Sequence, residues 1–127
     1  MYYQNLMTNS LTNLLDESET LKCSFFAILL QEIGFYSGYW GLSEENLLGA
    51  VLTFSGKDVS YTIKVPLKEI KKVKIRKSLF PRQYIVKIKF IKGNPCKLRV
   101  PLKAYQIENQ KENFEYFCKE IMAKAVQ

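Results

Sequence analysis

The chain has 127 residues, 47% of them hydrophobic and 24% charged, with a net charge of +7. A chain of this size and composition forms one domain with its own core, which excludes disordered, collagen-like and two-domain proteins. It contains no histidine, which excludes Ser-His-Asp and Cys-His catalysis and every zinc site that uses histidine.

The three cysteines, Cys23, Cys96 and Cys118, lie far apart and include no C-x-x-C pair. Their odd number, in a chain without a signal-peptide pattern, is typical of reduced thiols in a cytoplasmic protein. The longest apolar run, residues 25–30, is much shorter than a membrane span. No catalytic carboxylate pair or phosphate loop is present, so we predict no enzyme activity, no metal, no cofactor and no small-molecule substrate.

The positive charge is concentrated in the middle of the chain. Residues 57–103 carry +13, whereas residues 1–56 carry −5 and residues 104–127 carry −1. This distribution concerns the surface potential and the partners of the protein rather than its fold.

The first predicted element is a helix at residues 4–15, in which Met7, Leu11, Leu14 and Leu15 recur at helical spacing. We interpret residues 1–19 as a helical extension and residues 20–127 as the domain proper. The apolar face of the helix either packs on the domain or is a contact surface for self-association.

The apolar residues within 20–31 are too continuous for clean alternation, which predicts a strand with little solvent on either face, or else a buried helix. A segment rich in glycine and aromatic residues follows, with Phe35, Tyr36, Tyr39 and Trp40. These rings either close one end of a barrel or form a contact loop for a membrane interface or a protein.

Turns at residues 43–46 and 55–58 separate predicted strands at residues 47–54 and 59–65. The chain ends in a predicted helix whose apolar residues are three or four positions apart, as in a buried stripe. These residues are Phe114, Phe117, Cys118, Ile121, Met122 and Ala125.

Between these parts, three strands alternate apolar residues with basic ones, and a connector at residues 79–83 and a turn at residues 92–95 join them. The outward basic residues are Lys72, Lys74, Arg76, Lys87, Lys89, Lys97 and Arg99. This set is either a solvated outer surface that discourages edge pairing or a binding surface for an anionic partner.

About seven strands followed by one amphipathic helix is the element order of the pleckstrin-homology-like barrel. Residues 38–48 resemble the "G-x-L-x-L-T-D-x-R-L" hairpin of GRAM-type and bacterial pleckstrin-homology-like domains, and residues 65–73 resemble their "I-P-L-x-x-I-x-x-V" segment. The resemblance covers roughly residues 20–125. It implies a mainly β fold with α, a bent antiparallel barrel of about seven strands capped by its C-terminal helix.

The resemblance also implies a binding or assembly module without chemistry, because many members bind phosphoinositides or proteins. In the lipid-binding members, Lys and Arg cluster around the first hairpin. Here that hairpin offers Lys22 and otherwise residues such as Gln31 and Glu32. We therefore predict no inositol-phosphate pocket, since no arginine fork is available for the phosphates.

These observations predict a cytoplasmic, non-catalytic module that acts by association with itself or with another protein. The alternative is a peripheral binder of anionic membrane lipids that uses the outward basic residues. Nucleic acid is less favoured as a partner, because no aromatic ring for base stacking alternates with the outward lysines.

Overall fold

The computed structural model of the protein describes residues 1–79 and 82–125. Its elements follow the predicted order, with seven strands between two helices and a short 3-10 turn, Leu67–Glu69, after the fourth strand. The bounds are α1 Tyr2–Thr12, β1 Cys23–Leu30, β2 Phe35–Leu42, β3 Asn46–Leu52, β4 Val59–Pro66, β5 Ile70–Ser78, β6 Gln83–Phe90, β7 Cys96–Pro101 and α2 Gln110–Ala125.

The seven strands form one antiparallel sheet in the order β4-β3-β2-β1-β7-β6-β5. Strand β1 pairs with β2 along its whole length, but it pairs with β7 only from Ile28 to Leu30. The sheet therefore has two halves, β1–β4 and β5–β7, joined along the end of β1. With α2 on the core, this is the predicted seven-stranded architecture capped by its C-terminal helix.

The core lies between the two halves of the sheet and α2. Phe114, Phe117 and Ile121 of α2 are buried, and the first two rings meet Phe25 of β1 edge-on with centroids 5.2 and 4.8 Å apart. The predicted stripe is confirmed at these three positions. Met122, which we placed in the stripe, is exposed, because a helix turns by about 100° between neighbouring residues and carries it away from Ile121.

The start of α2 is fixed to the sheet by the side chain of Gln110, which is buried. Its Oε1 accepts a hydrogen bond from the Phe26 backbone N at 2.8 Å, and its Nε2 donates to the carbonyl oxygens of Phe26 and Pro101 at 2.7 and 3.0 Å. Phe26 precedes the part of β1 that pairs with β7. The amide thus supplies the hydrogen bonds that a neighbouring strand would otherwise make.

Helix α1 packs on the outward side of β1–β3. Met7 and Leu11 are fully buried there against Tyr39, Leu48 and Ala50. The sequence left two interpretations of this apolar face open. In the structure, the face packs on the chain's own sheet.

The predicted bounds of this helix are wrong at both ends, because α1 runs from Tyr2 to Thr12 rather than over residues 4–15. Leu14 and Leu15 follow the helix in a turn, half-buried against the same apolar cluster. The prediction was too long because it relied on apolar spacing alone, and Leu14 and Leu15 have that spacing without being helical.

The segment that connects α1 to β1 is held by the carboxylate of Glu19. It accepts hydrogen bonds from Lys64 Nζ at 2.8 Å, from Asn46 Nδ2 at 2.7 Å, and from Ser43 Oγ. The Lys64 ammonium, and then the Ser43 hydroxyl, hold the pKa of Glu19 well below its ordinary value. This network joins the connecting segment to the β2–β3 turn and to β4.

The strand predicted at residues 20–31 is β1, and the alternative of a buried helix is wrong. Strand β3 ends at Leu52 rather than at residue 54, so that Phe54 lies in the following turn and is fully exposed. The connector predicted at residues 79–83 includes Phe80 and Pro81, which lie outside the described residues.

Candidate functional site

The seven basic residues singled out from the sequence lie together on the outward side of β5, β6 and β7. Lys72, Lys74, Arg76, Lys87, Lys89 and Lys97 are exposed and Arg99 is half-buried. We call these seven residues the basic face. The structure thus joins residues from three separate segments into one surface, as strand alternation requires.

The strand register sets lysines directly opposite one another. Lys87 of β6 faces Lys74 of β5 on one side and Lys97 of β7 on the other, and Lys89 faces Lys72. We call Lys74, Lys87 and Lys97 the lysine row. Like charges in directly opposed positions destabilise a sheet, so this arrangement costs folding free energy.

The surroundings of the basic face do not neutralise its charge. Strands β5, β6 and β7 contain nine Lys and Arg residues and no Asp or Glu. Across residues 1–79 and 82–125, the ion pairs within 4.0 Å involve only Lys22 and Lys64, which lie elsewhere. The positive potential of this surface is therefore available to an external anion.

Ile85 is a member of this surface that our sequence analysis missed. It faces Arg76 and Arg99 across the sheet and is only 8% exposed. We infer that the aliphatic stems of the two arginines cover it while their charged ends remain in solvent. The alternation along β6 could have found Ile85, because it is two positions before the outward Lys87.

An apolar group continues the lysine row on the same side of the sheet. Leu30 of β1 is opposite Lys97, and Phe35 of β2 is opposite Leu30. Phe35 is 66% exposed, and Ile33 in the hairpin between them is 86% exposed. We call Leu30, Ile33 and Phe35 the apolar tip.

An open groove of about 860 Å³ lies between the apolar tip and the lysines. Its lining includes Leu30, Ile33, Lys87 and Lys97, together with one acidic residue, Glu32, among the described residues. The groove therefore combines apolar and cationic surface within one concave region.

The predicted aromatic contact loop is not a loop. Phe35, Tyr36, Tyr39 and Trp40 all lie within β2, where alternation sends Tyr39 and Trp40 to opposite sides of the sheet. Both of these rings are buried, whereas Phe35 and Tyr36 are exposed. The cluster thus separates into two core residues and two surface residues.

Trp40 fits inside the barrel because of Gly49, its partner on β3. A Cβ atom at Gly49 would lie 2.6 Å from the indole ring, so the ring occupies the space that a side chain would fill. The sequence offered no signal for this contact, since it depends on the register between β2 and β3.

The thiols are poor nucleophiles in this structure. Burial raises the pKa of Cys23, Cys96 and Cys118 to about 12, so that all three are protonated near neutral pH. In the part of the chain that the structure describes, no three Cys, Asp or Glu side chains lie close enough together to hold a metal ion, and neither helix is long and apolar enough to cross a membrane.

No family model and no curated protein matches this sequence. The fold is nevertheless similar to that of several solved structures. The hSac2 domain from the human phosphoinositide phosphatase Sac2 has a TM-score of 0.65 at 14% identity, covering 96% of this chain and 79% of that one. The C-terminal domain of an unknown protein from Leishmania infantum has a TM-score of 0.63 at 15% identity, covering 94% of this chain and 98% of that one.

A pleckstrin homology domain from Shewanella amazonensis has a TM-score of 0.57 at 16% identity, covering 98% of this chain and 99% of that one. At these identities the similarity concerns the fold alone. The chain therefore has the pleckstrin-homology-like fold.

Proposed function

We propose that this protein is a binding module that docks on anionic membrane surfaces through the basic face. The observation that carries the proposal is the lysine row, in which Lys87 lies between Lys74 and Lys97 on strands that contain no acidic residue. An anionic surface would relieve the repulsion that this row creates in the free protein.

The geometry of a sheet suits a flat anionic partner. Each Lys or Arg near a charged bilayer contributes about 1 kcal/mol, and this contribution falls off within roughly 8–10 Å of the lipid. The basic face presents its residues from three adjacent strands, whose spacing is about 4.8 Å, so several of them can lie within that distance at once.

The apolar tip favours a membrane over nucleic acid. Ile33 and Phe35 are exposed at the edge of the basic face, where they could enter the interfacial region while the lysines contact headgroups. A single-strand binder would instead present rings for base stacking among its lysines. The outward residue between Arg76 and Arg99 is Ile85, which is not aromatic.

Recognition in this proposal depends on charge density rather than on a stereospecific headgroup. The Lys22 ammonium lies 3.5 Å from the Glu44 carboxylate, just before β1 and therefore at the opposite end of that strand from Gln31 and Glu32. This position supports our sequence-based expectation that the first hairpin has no inositol-phosphate pocket.

Self-association ranks below membrane docking in this proposal. The surface that suggested it, formed by Met7 and Leu11, is buried against the sheet, and the outward residues of α1 include Asn5, Thr8 and Asn9. Membership of the GRAM-type or bacterial branch and the division at residue 19 stay predictions.

The test is co-sedimentation with vesicles of phosphatidylcholine that contain increasing fractions of phosphatidylglycerol, at low and physiological salt. We expect binding that rises with the anionic fraction and falls with salt. The variant K74E/K87E/K97E should lose this binding. The matched control K57E/K111E/K119E, which has the same net charge but reverses exposed lysines elsewhere, should retain most of it.

Two results would refute the proposal: equal binding by the two triple variants, or no binding to any vesicle. A short nucleic-acid duplex, tested in parallel, would identify a nucleic-acid binder if it alone were bound. Light scattering after size-exclusion chromatography would reveal self-association.

A further inference from the structure

A second concave region lies on the other half of the sheet, beside the first turn of α1. It is a groove of about 430 Å³ between α1, the outward side of β1–β3 and the loop from β7 to α2. This volume is within the range of small-ligand sites. The groove has no part in the docking proposed above.

Four of the ten residues that line the groove are aromatic. Tyr3 and Tyr105 form one edge-on pair with centroids 6.0 Å apart, and Phe26 and Tyr39 form another with centroids 6.2 Å apart. A planar ring placed between such pairs gains favourable edge and face contacts as well as burial.

Tyr39 brings an unused hydrogen-bond donor to this groove. Its side chain is only 2% exposed, and its hydroxyl makes no hydrogen bond with any residue in the ranges 1–79 and 82–125. Burial raises the pKa of Tyr39 to about 12, so the hydroxyl remains protonated and able to donate. Among the described residues, the one buried side-chain polar atom without a partner is Trp40 Nε1, so the Tyr39 hydroxyl reaches solvent in the groove. An acceptor on a ligand can take the place of water there.

Lys103 gives the groove a positive charge. It is the one charged side chain among the described residues that line the groove, it is exposed, and it forms no ion pair with the described acidic residues. A ligand with an anionic group at the rim of the groove would therefore meet a free ammonium.

We propose that this groove binds a small aromatic carboxylate. The ring of the ligand lies between the Tyr3–Tyr105 and Phe26–Tyr39 pairs, and its carboxylate accepts hydrogen bonds from the Tyr39 hydroxyl and the Lys103 ammonium. The aromatic walls select the body of the ligand, and the donor and the cation select its charge.

The experiment is isothermal titration of the full chain with 1-naphthoate and, as the uncharged analogue, 1-naphthamide. We expect saturable binding of one naphthoate per chain and at least threefold weaker binding of the amide. Tyr39→Phe should weaken naphthoate binding about fivefold, since it removes one hydrogen bond to a charged acceptor. Lys103→Ala should weaken it about threefold.

Matched controls keep the test specific. Tyr61→Phe removes an exposed tyrosine hydroxyl on β4, and Lys92→Ala removes an exposed lysine in the β6–β7 turn; neither residue lines the groove. Both controls should bind naphthoate as the parent chain does. Thermal unfolding of each variant verifies that it is folded, and the Tyr39→Phe change is small enough to keep the core.

Three outcomes would overturn the proposal. They are no binding at millimolar naphthoate, equal affinity for the acid and the amide, and unchanged affinity in both Tyr39→Phe and Lys103→Ala. Loss of vesicle binding in the basic-face variants leaves this test unaffected, since those residues lie on the other half of the sheet.

Discussion

The outward side of the sheet differs sharply between its two halves. Over β1–β3 it is apolar, and Met7 and Leu11 of α1 cover it. Over β5–β7 it is basic, and no described element packs on that side. Ile28 and Arg99 are paired at the junction, so the two surfaces are continuous.

The two halves of this sheet contribute to stability in opposite directions. The apolar half gains free energy because it has found its partner within the chain. The basic half gives up free energy, because the lysine row opposes like charges, and this cost has no evident benefit to the fold. This difference is the reason for proposing the basic half as the membrane-docking surface, whereas the packing of α1 on the apolar half stabilises the fold.

The largest expected effect concerns the packing of α1 on the apolar half of the sheet. Leu11→Ala should lower the free energy of unfolding by about 3 kcal/mol, because it removes a fully buried side chain and leaves a cavity under α1. Urea denaturation measures this change. Thr8→Ala, on the exposed side of the same helix, should change stability by less than about 0.5 kcal/mol. A loss below 1 kcal/mol for Leu11→Ala would mean that α1 is not firmly packed.

The next effect concerns the junction of the two halves. Gln110→Ala should lower the free energy of unfolding by about 2 kcal/mol, because the Phe26 N–H and C=O would lose their partner within the protein. Lys111→Ala, at the next and exposed position, is the control. Denaturation curves that coincide for the two variants would show that water replaces the amide at no cost.

A smaller effect, which depends on pH, is expected for Glu19 in the segment that connects α1 to β1. The pKa of Glu19 is lowered in the folded state, chiefly by Lys64, so its stabilisation is present above the ordinary carboxyl pKa of about 4. It is lost as the pH falls towards the lowered pKa.

We therefore expect Glu19→Gln to unfold more easily than the parent chain at pH 7, with the difference shrinking below pH 4. The exposed Glu17→Gln variant serves as the comparison in the same urea titrations. A difference that did not depend on pH would contradict this role of the carboxylate.

The smallest expected effect concerns the repulsion between lysines in the basic half of the sheet. Lys87→Glu should raise the free energy of unfolding by about 0.5–1 kcal/mol at low salt, because it converts two repulsive pairs, with Lys74 and with Lys97, into attractive ones. The gain should shrink in 1 M salt, whereas Lys119→Glu, at an exposed position inside α2 and away from its N-terminus, should show no such gain. A destabilised Lys87→Glu variant would indicate that the row supports the fold.

Several features of the fold could be predicted from local pattern. The alternation of lysines with Val73, Ile88 and Leu98 predicted three strands with one apolar side, because a strand has a period of two whatever its neighbours are. The spacing of Phe114, Phe117 and Ile121 likewise predicted the buried side of α2.

Contacts that depend on register could not be predicted in this way. Trp40 is buried because Gly49 lies opposite it on β3, and Gln110 is buried because β7 leaves β1 unpaired at Phe26. Both contacts join residues that are distant along the chain or on different strands. Tyr39 and Trp40 are therefore core residues, whereas Phe35 and Tyr36 of the same strand stay at the surface.

By itself, the sequence determined which residues are apolar, which are basic, and how they alternate along each element. Only the tertiary structure decided that the apolar side of α1 is covered, that three lysines from three strands share one row, and that Tyr39 and Lys103 line one groove. Periodicity is a property of neighbours in the chain, whereas a surface is a property of neighbours in space, and strand pairing relates the two.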